Sequence, residues 1–98
     1  MTTVAAGVTT QIGTDSNMVG WSIKINKGTA TVGTLTLTAV SPGATTGEAC
    51  SDDTKAPIVF NCATSTAQTY FFPFQPADLV IITPSGLDGT YKYSFSQW

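Results

Sequence analysis

The side chains able to do chemistry in this chain are six acids (Asp15, Glu48, Asp52, Asp53, Asp78, Asp88), four lysines (Lys24, Lys27, Lys55, Lys92) and two cysteines (Cys50, Cys62), with neither histidine nor arginine. A serine or cysteine nucleophile needs a neighbouring base, and none of the four lysines sits in a recognisable motif that would supply one. Two carboxylates can hydrolyse a glycoside if they meet across it. The six acids here fall in segments that read as turns and loops, where carboxylates act as solvated caps. The glycines stand singly in turns and do not form a phosphate-cradling loop. No catalytic residue is assigned, and the expectation is a protein that is not an enzyme.

Metal binding is weighed on the same grounds. Asp52 and Asp53 with Glu48 nearby offer the hard oxygen ligands that Ca²⁺ takes, but their spacing is not that of an EF-hand loop, and a solvated acidic loop tip is the plainer reading. Two cysteines without a histidine do not make a zinc site. No metal and no cofactor are expected.

Cys50 and Cys62 leave two readings open. A cross-link between them closes a short loop and constrains the unfolded chain by roughly 3 kcal/mol. Synthesis in the cytosol argues instead for reduced thiols, and a particle released into an oxidising medium acquires such a bond later.

Binding remains, and aromatic side chains are its natural agents, because Trp and Tyr stack on sugars and anchor protein interfaces. Tyr70, Phe72 and Phe74 alternate with Phe71, so one core cannot bury both sets. The surplus faces a neighbouring subunit, the far end of its own sandwich, or a glycan. Trp98, the last residue, either docks against a partner or folds back over the open end of its own barrel. Tyr70, Phe72, Phe74 and Trp98 are therefore the candidate oligomer or partner interface.

Composition narrows the partners. Charged residues make up 10% of the chain against a usual share of about 25%, and the net charge is −2. A surface of Thr, Ser, Gly and Ala protects poorly against self-association, which favours a homo-oligomer or a subunit of a larger assembly over a monomer solvated by hydroxyl groups. Nucleic acid is not an expected partner, because its binding needs a basic field. A membrane is not one either, because no run of about 18 apolar residues exists to span it. The start Met1-Thr2-Thr3-Val4-Ala5-Ala6-Gly7 lacks the charged and apolar regions of a secretory signal, so with Met1 native the protein is expected to be made in the cytosol.

The elements that hold these residues follow a period of two, the signature of strands. Val4 to Ile12 reads as a first strand ended by Gly13-Thr14-Asp15-Ser16-Asn17. Val19 to Lys27 puts Trp21, Ile23 and Ile25 on one face, and Asn26-Lys27-Gly28 turns the chain. Thr31 to Val40 turns Leu35, Leu37 and Ala39 inward and a ladder of Thr34, Thr36 and Thr38 outward. Ala44 to Ala56 is polar and is expected to project as a loop. Pro57 to Ala63 and Ala67 to Phe74 are short strands, the second on a sheet edge because Pro73 interrupts its ladder. The unbroken run Leu79-Val80-Ile81-Ile82 predicts burial on both faces, and Tyr91, Tyr93 and Phe95 alternate in the last strand. About seven to eight short strands in a single domain over residues 1–98 predict a small antiparallel β-sandwich or jelly roll.

From Met18 to Trp98 this pattern resembles the small virion structural proteins encoded among the head genes of tailed bacteriophages. Trp21-Ser22-Ile23-Lys24-Ile25, Gly33-Thr34-Leu35-Thr36-Leu37-Thr38, a variable polar loop, Phe72-Pro73-Phe74, Pro84-Ser85-Gly86-Leu87 and Tyr91-Lys92-Tyr93 carry the resemblance. It implies a decoration or cement protein, often a trimer, that assembles in the host cytoplasm onto the outer capsid and bridges neighbouring copies of the major capsid protein. The stretch from Cys50 to Cys62 is less typical of that group. Other readings of the same pattern are a tail, fibre or neck subunit and a carbohydrate-binding or adhesion module.

Overall fold

A computed structural model of the chain describes residues 1–15, 17–40, 43, 48–49 and 58–98. Among them are nine strands: β1 (Thr2–Val4), β2 (Thr10–Gly13), β3 (Trp21–Asn26), β4 (Thr34–Val40), β5 (Glu48–Ala49), β6 (Val59–Asn61), β7 (Ala67–Phe72), β8 (Leu79–Ser85) and β9 (Tyr91–Gln97). A first, four-stranded sheet has the order β1-β9-β3-β7, and a second, five-stranded sheet the order β2-β8-β4-β5 with β6 also on β4. Every pairing between them is antiparallel.

The pairings are nested. Thr2 pairs with Tyr93, Thr10 with Ile82, Trp21 with Phe72 and Thr34 with Asn61, so each step inward from one end of the chain matches a near-equal step from the other. The chain is in effect one long two-stranded ribbon that folds back between β4 and β6. Rolling the ribbon brings β9 onto β3 and β8 onto β4, and successive ribbon segments alternate between the two sheets. This is jelly-roll connectivity, one of the two all-β arrangements that the alternation predicts.

Alternation also fills the core. Trp21, Ile23 and Ile25 of β3 and Tyr91 of β9 face Leu35 and Leu37 of β4 and Val80 and Ile82 of β8, all with no measurable exposure. Phe72 lies on Trp21 with ring centroids 4.3 Å apart, and Phe95 stands 5.8 Å from Trp21 on its other neighbour strand. The Trp21 indole Nε1–H has no hydrogen-bond partner among the described residues. An unmet buried donor costs about 1–3 kcal/mol, which the ring stacking and the burial of the indole offset.

Three expectations need correction. The segment from Val4 to Ile12 is two strands rather than one: Val8 N–H bonds Ala5 C=O at 3.2 Å, Gly7 takes φ +77°, and the chain passes from the first sheet to the second. The polar stretch from Ala44 to Ala56 is not wholly irregular, since Glu48–Ala49 pairs with Thr38 and Ala39. Phe74 does not continue the row of Tyr70 and Phe72, because β7 ends at Phe72 and Pro73 and Phe74 form a turn. Strand β7 does lie at a sheet edge, where Pro73 predicts it. Pro84 is tolerated inside β8 because β2 pairs no further than Ile82.

At the end of the sandwich holding the β3–β4 and β8–β9 loops, backbones meet through glycines. A Cβ on Gly33, where φ is +100°, would lie 2.7 Å from the Gly86 carbonyl, and one on Gly28 would lie 2.4 Å from the Thr90 oxygen. Asp88 fastens the same loops by accepting the backbone N–H of Thr31 at 2.6 Å, that of Val32 at 3.2 Å, and the Thr31 hydroxyl. These bonds, the hydroxyl first, hold its carboxyl down at about 2 from an ordinary 3.8. Cys62 is buried beside this clasp, its N–H on the Gly33 carbonyl at 2.9 Å. Burial first, then the Asp88 charge, pushes the thiol pKa up against the opposite pull of Lys27.

Candidate functional site

Among the described residues the acids are spent on structure or stand apart. Asp88 clasps two loops, Asp78 accepts the Gly43 N–H at 3.0 Å, and among the described residues no group of three or more His, Cys, Asp or Glu side chains converges on a point that could hold a metal. Asp52, Asp53 and the Glu48 side chain, the Ca²⁺ candidates, lie outside the described residues, as does Cys50, which a cross-link to Cys62 would need. No helix among the described residues is long and apolar enough to cross a membrane.

What the molecule presents is two sheet faces of different character. On the outer face of the second sheet, register aligns three rows across the strands: Gln11, Ile81 and Thr38; Thr83, Thr36 and Val59; Ser85, Thr34 and Asn61. None of these side chains is charged. Val59 is half exposed and Thr83 exposed, while Ile81, Thr34, Thr36 and Thr38 are half-buried. The run from Leu79 to Ile82 predicts burial on both faces; Val80 and Ile82 are enclosed, and Leu79 and Ile81 lie half-covered on this outer face.

The outer face of the first sheet is polar and cationic. Its rows are Phe71, Ser22 and Ser96; Thr69, Lys24 and Ser94; Ala67, Asn26, Lys92 and Thr3. Lys24 and Lys92 stand here without a carboxylate in any of the three rows, on a chain whose net charge is negative.

Trp98 closes this face at its end. Its N–H bonds the Gly20 carbonyl at 3.2 Å and its carbonyl accepts Val19 N–H at 2.7 Å, so the residue continues the pairing of β9 with β3 beyond Gln97. The indole stacks on Phe71 with centroids 5.4 Å apart and planes 30° from parallel. The two rings meet diagonally across Gly20, which has no side chain to separate them; a Cβ there would lie 2.3 Å from the Pro73 carbonyl oxygen. Trp98 stays 48% exposed and Phe71 64%. Beside Trp98 the end of the sandwich dips into a shallow hollow of about 250 Å³ lined by Asp15, Asn17, Met18, Gln97 and Trp98.

The candidate interface residues thus separate. Phe72 is a core residue under Trp21, and Tyr70 is half-buried, with burial pushing its hydroxyl pKa above the ordinary value. Phe74 is 85% exposed in its turn, and Trp98 lies on the outer face against Phe71. Phe71, Asp15, Asn17 and Gln97 are not among the candidate interface residues read from the sequence. Alternation already put Phe71 opposite Phe72, but joining it to Trp98 requires the β7–β3–β9 register. No family model, no curated protein and no solved structure matches the chain.

Proposed function

We propose that the chain is a non-enzymatic structural subunit of a tailed-phage particle, a decoration or cement protein on the outer capsid that bridges copies of the major capsid protein. One observation carries this reading: the three rows on the outer face of the second sheet hold no charged side chain, and protein interfaces are depleted of charge at their centre. Jelly rolls serve as viral capsid and lectin domains, which supports the reading by fold analogy alone.

The mechanism is adhesion by area. Strand spacing of about 4.8 Å and a two-residue rise of about 6.8 Å give three rows on three strands roughly 300 Å², well under the ~800 Å² per partner of a stable interface. A single subunit is held weakly, and a homotrimer that engages several capsid subunits at once gains by multivalency. Bound copies then oppose expansion of the shell by the contacts that expansion must break.

The test uses heads isolated without this chain from the phage that encodes it. Purified protein added to them is expected to co-sediment to saturation, with copies in groups on the outer surface by electron microscopy. Failure to co-sediment at any protein concentration, or location inside the head, overturns the reading.

A further inference from the structure

We propose that the hollow beside Trp98 is a binding site for one ring of a neutral pyranose sugar. A pyranose offers an edge of hydroxyl groups and an apolar C–H face, and its site needs an aromatic wall with polar groups set around it. The hollow is lined by Trp98, which is 48% exposed, together with Asp15, Asn17, Met18 and Gln97. At about 250 Å³ it lies below the size of drug-like pockets, which suits a single ring and not an extended peptide.

Trp98, the Gln97 side chain and the Asp15 backbone are held before any ligand arrives. Phe71 stacks on Trp98, and backbone bonds to Val19 and Gly20 hold the Trp98 main chain in place. Gln97 Oε1 accepts the Asp15 N–H at 3.0 Å, which joins the loop after β2 to the end of β9 and leaves the Gln97 amide N–H groups as donors. The Thr14 hydroxyl donates to the Ala77 carbonyl and fastens the same loop from its other side. Groups fixed in this way lose little freedom on binding.

Each polar residue has a role that its chemistry sets. The Asp15 carboxylate accepts from sugar hydroxyls, while the Asn17 and Gln97 amides donate to them. The carboxylate also sets the ligand class, because it repels uronic acids and other anionic sugars. The site is at the end of the sandwich and not on the outer face of the second sheet, so it stands or falls independently of capsid attachment.

The experiment follows the two indole N–H signals in ¹⁵N-labelled protein while glucose, galactose, mannose and N-acetylglucosamine are each titrated through the millimolar range. At least one sugar is expected to shift the Trp98 signal saturably while that of Trp21, enclosed in the core, stays in place. Asp15→Ala, a change in an exposed loop that leaves the fold intact, is expected to weaken binding about tenfold or more, and Thr69→Ala, on the outer face away from the hollow, to leave it unchanged. The absence of a saturable shift with all four sugars, or an unchanged affinity in Asp15→Ala, overturns the proposal.

Discussion

Tyr91 of the first sheet and Thr10 of the second meet through their hydroxyl oxygens at 2.7 Å across the sandwich. The Tyr91 hydroxyl donates its proton to the Val8 carbonyl at 2.6 Å, so the Thr10 hydroxyl is the donor between the two side chains. Tyr91 is fully buried, and removing its oxygen leaves a threonine hydroxyl and a carbonyl without their partner. Tyr91→Phe is expected to lower stability by about 1–3 kcal/mol, and Thr10→Val by about 1 kcal/mol because the Val8 bond survives. Urea unfolding of both variants and of their combination measures the coupling; a Tyr91→Phe midpoint equal to that of the parent protein shows that the bond contributes nothing.

The same tyrosine has an alkaline signature. Burial, opposed in part by the Thr10 bond, raises its pKa above the ordinary 10. A group raised on folding keeps its full contribution below its unfolded value and loses it as pH climbs through the folded one. Stability is therefore expected to fall above pH 10, and Tyr91→Phe to show a shallower fall on the same titration.

Asp88 has the opposite sign. Its carboxyl is held at about 2 against an ordinary 3.8, so its contribution is present above the ordinary value and disappears as pH falls towards the lower one. Thermal midpoints measured through this acid window are expected to drop, and Asp88→Asn to flatten that part of the curve. A drop of equal size in Asp88→Asn assigns the acid sensitivity to another carboxylate.

Gly33 and Gly13 separate backbone strain from open space. Gly33 combines φ +100° with a Cβ position 2.7 Å from backbone atoms of Gly86 and Leu87, whereas a Cβ on Gly13 meets nothing within 4 Å. Gly33→Ala is expected to cost about 3 kcal/mol or more, and Gly13→Ala to lie within about 0.5 kcal/mol of the parent protein. Chemical denaturation of the pair reads the contrast directly.

Phe71 and Phe72 test the alternation itself. Phe72 is stacked under Trp21 and its truncation to alanine is expected to cost about 3–5 kcal/mol, while Phe71→Ala, on the outer face, is expected to cost below about 1 kcal/mol. Similar losses from the two would mean that β7 is turned over.

The same pair shows what was legible beforehand. Alternation places Trp21, Ile23, Ile25, Leu35 and Leu37 inside, because a half-buried strand has no other way to divide its side chains. It reads Val4 to Ile12 as one strand because the turn at Ala5-Ala6-Gly7 contains small residues that leave no gap in the pattern. It carries Phe74 along with Phe72 because periodicity does not report where pairing stops. The Phe71–Trp98 stack and the hollow were out of reach, since residues so distant in sequence come together through strand register, which is set by how the whole ribbon rolls.

The central claim is that the uncharged rows of the second sheet are the surface through which the protein holds its neighbour. Saturation binding to isolated heads, comparing the parent protein with Thr36→Glu and with Thr69→Glu, tests it most directly. A charge placed at the middle of a buried contact without a partner costs several kcal/mol, so Thr36→Glu is expected to weaken attachment about a hundredfold or more while Thr69→Glu, on the other sheet, binds as the parent does. Parent-like binding by Thr36→Glu, or equal loss in both variants, contradicts the claim.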